Sequence, residues 1–208
     1  MDLTIFIFNI IGTIAFAASG ATVAVKKRFD IFGVIVLGVT TAVGGGFIRD
    51  IVLGNVPPVA LTNPIYTVIA IATAILASIP SIRKRVGQNN KAFDRLMFFM
   101  DTIGLAAFTT TGVLVCFEQE RNSLFVSLFV GVVTGVGGGV LRDLFSNEPP
   151  YIFRKHIYAC AAAAGAVVTY VLCLFTYPTL AMIVGFCAIA IIRFLSAYYR
   201  WNLPIVEE

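Results

Sequence analysis

The sequence predicts an all-α membrane protein, with seven transmembrane helices arranged as two inverted three-helix repeats plus one C-terminal helix, and residues 1–208 forming a single membrane domain. Three observations predict it. First, 59% of the residues are hydrophobic, against 15 Lys+Arg and 11 Asp+Glu, and the mean hydropathy is +0.92. A soluble chain is about 25% charged, so this one has too few charges to cover a water-facing surface, which excludes most soluble enzyme architectures. Second, seven apolar runs are each long enough to cross hydrocarbon, which takes about 20 residues. Third, the chain matches itself: Gly44-Gly45-Gly46-Phe47-Ile48-Arg49-Asp50 recurs as Gly137-Gly138-Gly139-Val140-Leu141-Arg142-Asp143.

Repeat 1, residues 3–80, takes in the runs Leu3 to Val25, Ile31 to Leu53 and Leu61 to Ile79. Repeat 2, residues 93–176, takes in Phe93 to Phe117, Leu124 to Phe145 and Ile157 to Phe175, and the seventh helix, Leu180 to Tyr199, falls within 179–200. Backbone polar groups in hydrocarbon must bond internally, so these runs are helices. Lys26-Lys27-Arg28, Pro57-Pro58, the polar Ser81 to Lys91 stretch, Glu118 to Asn122, Pro149-Pro150 and Tyr177-Pro178 punctuate them. Asp2 leads straight into apolar sequence with no basic n-region, so the first run is expected to stay in the mature protein. Cys116, Cys160, Cys173 and Cys187 sit singly in apolar stretches and read as small hydrophobes, neither disulfides nor metal ligands.

Basic residues in short loops set orientation. Lys26, Lys27, Arg28, Arg83, Lys84, Arg85, Lys91, Arg95, Arg154, Lys155 and Arg200 fall on one side, and only Arg121 on the other. That predicts an outside N-terminus, a cytoplasmic C-terminus and an odd number of spans. The net charge of +4 is explained by this topology and by anionic lipid at the inner leaflet, with no nucleic-acid partner implied.

The self-match extends both ways. Gly12, Phe16 and Gly20 align with Gly104, Phe108 and Gly112; Asn55 and Pro57-Pro58 with Asn147 and Pro149-Pro150; Ile65-Tyr66 with Ile157-Tyr158. Because three is odd, the second copy enters the membrane from the opposite side. Inverted repeats with interrupted helices at matching positions point to a midplane pathway; the plain alternative is duplication that yields a stable bundle.

Each triple glycine forfeits about 1 kcal/mol of helix propensity per residue, so helices 2 and 5 are expected to kink or unwind there, offering backbone carbonyls to a passing cation. Close packing is the competing reading, since Gly131, Gly135 and Gly139 form a GxxxGxxxG ridge that Gly38, Ala42 and Gly46 repeat. Arg49-Asp50 and Arg142-Asp143 lie just beyond the glycines, where charges pair and face a cavity or snorkel to the interface; in the first case they shape the two vestibules. Asp101 is a further pathway candidate, whereas Arg193 is expected to snorkel. Thr41, Thr40, Thr134 and Thr109 to Thr111 offer hydroxyls to a pore or bond their own backbone. Tyr151, Tyr158, Tyr198, Tyr199 and Trp201 read as an interfacial aromatic belt, and His156 as a solvated residue.

Two copies of GGGxxRD, each following small residues and preceding Asn and Pro-Pro, in spans arranged three plus three plus one, resemble the prokaryotic trimeric intracellular cation (TRIC) channel family over about Asn9 to Arg200. The resemblance implies a homotrimer in a bacterial inner membrane, with a pore in each subunit lined by the kinked second and fifth helices and permeable to monovalent cations, K⁺ or Na⁺. By position the constriction carries over to Gly44-Gly45-Gly46 and Gly137-Gly138-Gly139. No cofactor is implied; the partners are membrane lipids, bound lipid included, and the permeant ions. The Lys-Glu-Val motif of the animal relatives is absent, so phosphoinositide regulation does not transfer.

Bacterial sequences of this kind are also labelled glycine transporters, and inverted repeats suit a transporter of small amino acids as well as a channel. An enzyme is disfavoured by the lack of HExxH, of clustered His or Cys, and of a Ser/His pair at depth. The string Thr41-Ala42-Val43-Gly44 looks like a K⁺ filter, but such a filter needs four equivalent loops, which two inverted copies do not supply.

Overall fold

The computed structural model describes residues 3–79, 90–121, 123–153 and 157–201. Its main helices are α1 (Leu3–Lys26), α2 (Ile31–Val52), α3 (Ile65–Ala77), α4 (Asn90–Glu118), α5 (Leu124–Phe145), α6 (Tyr158–Phe175) and α7 (Pro178–Tyr198). Six are long and apolar enough to cross a membrane. The exception is α3, whose 13 residues make about 20 Å at a 1.5 Å rise, short of the roughly 30 Å hydrocarbon core. The single span expected over Leu61 to Ile79 is divided because Pro64 disfavours helical geometry at the residue before it. Asn63 is accordingly extended, separating a short Val59–Thr62 turn from α3.

The expected unwinding at the triple glycines does not occur. Helix α2 runs unbroken through Gly44-Gly45-Gly46 and α5 through Gly137-Gly138-Gly139. Helix–helix contact offsets the poor helix propensity of three glycines, as the site below shows.

The two halves repeat down to their caps. Asp30 opens α2 by accepting from Gly33 N, and Ser123 opens α5 by accepting from Val126 N. Helices α1 and α4 end with a residue in the left-handed region, Arg28 and Glu120, followed by hydrogen bonds Phe29 N to Ala24 O and Arg121 N to Cys116 O. Helices α2 and α5 do the same through Gly54 and Asn147, with Asn55 N to Asp50 O and Glu148 N to Asp143 O. These turns satisfy carbonyls that a helix end leaves free. They also shift the sequence alignment by one: Asn55 is the counterpart of Glu148, and Asn147 that of Gly54.

Contacts between the halves show that they are antiparallel. Added Cβ atoms would carry Gly12 onto Phe108 and Gly104 onto Phe16, and Gly44 onto Leu141 and Gly137 onto Ile48. As numbering rises along α1 or α2 it falls along α4 or α5. Helices α1, α2, α4 and α5 thus form the centre, with α3 against α1 and α2, α6 against α5 and α4, and α7 against α6 and α4.

Candidate functional site

At the centre, α2 and α5 cross backbone to backbone. A Cβ at Gly45 would overlap the Thr134 carbonyl oxygen, and one at Gly138 would overlap that of Thr41. Only glycine permits this approach, the small-residue packing that membrane helices use in place of a hydrophobic drive. The third glycine of each run differs: the nearest atom to a Cβ at Gly46 is an Arg49 Nη at 3.8 Å, and at Gly139 the Tyr158 hydroxyl at 3.3 Å. Beside the crossing sit Phe16 and Phe108, ring centroids 5.4 Å apart and both buried. Each ring lies on the glycine of the other half, Phe16 on Gly104 and Phe108 on Gly12.

On one side of this crossing lies a cavity of ≈ 40 Å³ lined by Asn9, Thr13, Gly46, Arg49, Asp50, Tyr66 and Phe108, among others. That is room for a few waters at about 10–15 Å³ each. Asp50 Oδ1 accepts from Arg49 Nε and Nη2 at 2.8 Å each, while Asp50 Oδ2 accepts from the backbone N–H of Val59 at 2.8 Å. The carboxylate therefore forks its neighbour's guanidinium and pins the chain that follows Pro57-Pro58. Asn9 hydrogen-bonds Tyr66.

The other side repeats the fork. Asp143 Oδ1 accepts from Arg142 Nε and Nη2 at 2.8 Å, and Oδ2 from Tyr151 N at 2.7 Å, pinning the chain after Pro149-Pro150. Here Arg142 has two more partners: its Nη1 pairs with Asp101 of α4 and donates to Ser19 of α1 at 2.5 Å. Asp101 occupies the position that Asn9 holds in the first half. The cavity is larger, ≈ 300 Å³, and is lined by Met97, Asp101, Arg142, Asp143, Glu148, Pro149 and Tyr151. Lys27, beyond α1, pairs with Glu148 at its rim.

Arg193 does not snorkel. It enters this half from α7 at 0% exposure, its guanidinium carbon 4.8 Å from the Phe98 ring centroid, 4.8 Å from Tyr158 and 5.5 Å from Tyr151. Tyr158 is likewise buried and packs edge-on to the half-buried Tyr151, so Tyr158 does not belong to an interfacial belt; Tyr198 and Tyr199 are exposed at the end of α7. Aromatic faces that attract cations give the arginine a reason to stay inside.

The structure thus brings Arg49 with Asp50, and Arg142 with Asp143 and Asp101, to cavities on opposite sides of the glycine crossing. Thr41 and Thr134 are fully buried in the crossing and donate to their own helix, at Leu37 O and Val130 O, each at 2.6 Å. Thr110 and Thr111 also bond their own helix. Arg83, Lys84, Arg85, Arg154, Lys155 and His156 lie outside the described residues. Among the described residues no cluster of His, Cys, Asp or Glu could hold a metal ion. Sequence reasoning aligned Phe16 with Phe108 but gave them no part in the site; the signal was an aromatic repeated four residues after a repeated glycine. It missed the burial of Arg193 altogether, because nothing in the first half corresponds to α7.

Residues 6–80 and 98–173 match the family model described as "Glycine transporter". The chain is 36% identical to the UPF0126 inner membrane protein YadS of Escherichia coli K12 across 98% of this chain and 95% of that one. Among solved structures it is similar to one described as the structural basis for conductance through TRIC cation channels, with a TM-score of 0.85 and 38% identity over 98% of this chain and 97% of the other. It is also similar to the TRIC trimeric intracellular cation channel orthologue of Rhodobacter sphaeroides, with a TM-score of 0.86 and 31% identity over 96% and 100%.

Proposed function

Since the chain belongs to the prokaryotic TRIC channel family and is a multi-pass bacterial membrane protein, we propose that it is a potassium-permeable monovalent cation channel, with a pore inside each subunit of a homotrimer. One observation supports the pathway most directly: two charged cavities face each other across the α2–α5 crossing, separated by the glycines and the Phe16–Phe108 pair. In this reading a hydrated cation enters a vestibule and meets a carboxylate whose charge the adjacent arginine balances. It passes the midplane when Phe16 and Phe108 part, then leaves by the equivalent vestibule. Apolar constrictions of this kind hold a pore shut by excluding water. The positive-inside distribution of basic residues puts the Asp50 cavity outside and the Asp143 cavity at the cytoplasm.

Planar-bilayer recording of the purified protein tests this, in symmetric KCl and then across a KCl gradient. Discrete steps reversing near the K⁺ potential are expected. A silent bilayer together with saturable, gradient-driven uptake of labelled glycine into proteoliposomes would replace the channel with an amino-acid transporter.

A further inference from the structure

The second half of the site holds a buried acid and a buried base that the first half lacks. Asp101 stands where the first half has Asn9, and Arg193 comes from the helix that has no counterpart. The two are not paired. Asp101 is engaged by Arg142, and Ser19 Oγ also approaches it at 3.4 Å, while the three guanidinium nitrogens of Arg193 find no partner at full hydrogen-bond geometry among the described residues, the Tyr151 hydroxyl giving them only a looser polar contact. A fully buried guanidinium whose donors are left unmade is costly, and ring contacts meet that cost only in part. Yet Phe98, one of the rings on which Arg193 rests, lies one turn before Asp101 on α4, so the guanidinium and the carboxylate approach the same stretch of that helix.

We propose that Arg193 is a positioning residue that offers Asp101 a second seat, so that Asp101 exchanges between Arg142 and Arg193 and thereby unties α4 from α5 at the mouth of the larger cavity. In the state described here Arg142 binds α5 to α4 through Asp101 and to α1 through Ser19. That holds three of the four central helices together between the cavity and the glycine crossing. When Asp101 turns to Arg193, Arg142 keeps Asp143, so no buried charge is stranded; Arg193 leaves its place between Phe98 and Tyr158 and gains the bonds it lacks.

This inference rests on the channel reading, and its test is the open probability of single channels in symmetric KCl. Arg193→Gln removes the second seat and should lower open probability roughly tenfold, within the usual range for a coupling of this kind. Arg193→Lys, which can still pair with a carboxylate, should restore most of it. Phe98→Leu weakens the resting place of Arg193 and should raise open probability, a direction that damage to packing would not produce. Wild-type behaviour in Arg193→Gln, or Arg193→Lys as impaired as Gln, would overturn the proposal. If Arg193→Gln does not assemble, Phe98→Leu decides alone: no increase overturns it. Should the wild type carry no current, the channel reading fails separately. A double-mutant cycle of Asp101→Asn with Arg193→Gln on the melting temperature in detergent then judges the seat, non-additivity supporting it and additivity overturning it.

Discussion

The two halves of the site share one scaffold and differ in what surrounds its arginine. In both, an aspartate three residues before its helix cap forks the preceding arginine with one oxygen and pins the chain after Pro-Pro with the other. In the first half the arginine is held by that aspartate alone among the ion pairs of the described residues, and Asn9 serves Tyr66. In the second, Asp101 and Ser19 reach Arg142 from two other helices, and Arg193 adds a further buried charge. The first half buries one guanidinium with one carboxylate, the second two with two. Duplication kept the backbone device intact, and the halves diverged through side chains contributed by neighbouring helices.

The largest effect should come from removing the arginines. Arg49→Met strands one buried carboxylate, for which a loss of about 3–5 kcal/mol is usual. Arg142→Met strands Asp143 and also unties Asp101 of α4 and Ser19 of α1 from α5, so it should cost more, enough that little folded protein survives in detergent. Comparing thermal unfolding of the two variants checks this, and equal losses would erase the distinction drawn here.

Next come substitutions at the part the halves share. Gly45→Ala and Gly138→Ala each drive a Cβ into a backbone carbonyl of the other half, which cannot move aside as a side chain can. Overpacking typically costs about 1–3 kcal/mol, and the two variants should fall at the same place in that range. A clear inequality in melting temperature would show that the crossing is not symmetric in energy, whatever its geometry.

Much of this was legible in the sequence. Six of the spans and the adjacency of Arg49 with Asp50 and of Arg142 with Asp143 were read from hydropathy, charge and self-similarity, and the family from the resemblance that the doubled motif carries. What the sequence did not show follows from the limits of those signals. Gly44-Gly45-Gly46 reads as a helix breaker when propensity is counted residue by residue, but propensity yields to tertiary contact, and here the Thr134 backbone occupies the space that a side chain would need. Arg193 near the end of an apolar run looks like a snorkelling residue until its three aromatic neighbours, two of them from other helices, are brought together. The role of Asp50 and Asp143 as pins for the Pro-Pro segments was also hidden, because it uses backbone N–H groups that no residue pattern advertises.

The smallest effect separates fold from pathway. Gly46 has open space toward its cavity, with the flexible end of Arg49 the nearest atom at 3.8 Å, whereas a methyl at Gly139 would press the Tyr158 hydroxyl at 3.3 Å. If packing alone set the residue, Gly46→Ala should gain up to about 1 kcal/mol, the difference in helix propensity between the two residues, and Gly139→Ala somewhat less, because Tyr158 must give way. A pathway adds a second consequence, since the same methyl narrows a cavity of only ≈ 40 Å³. Gly46→Ala should then raise the melting temperature by a degree or two and lower the single-channel current at the same time, a combination that a purely structural glycine cannot give. A rise in melting temperature with current unaltered would leave the third glycine as a packing residue and move the ion's route away from this wall of the first cavity.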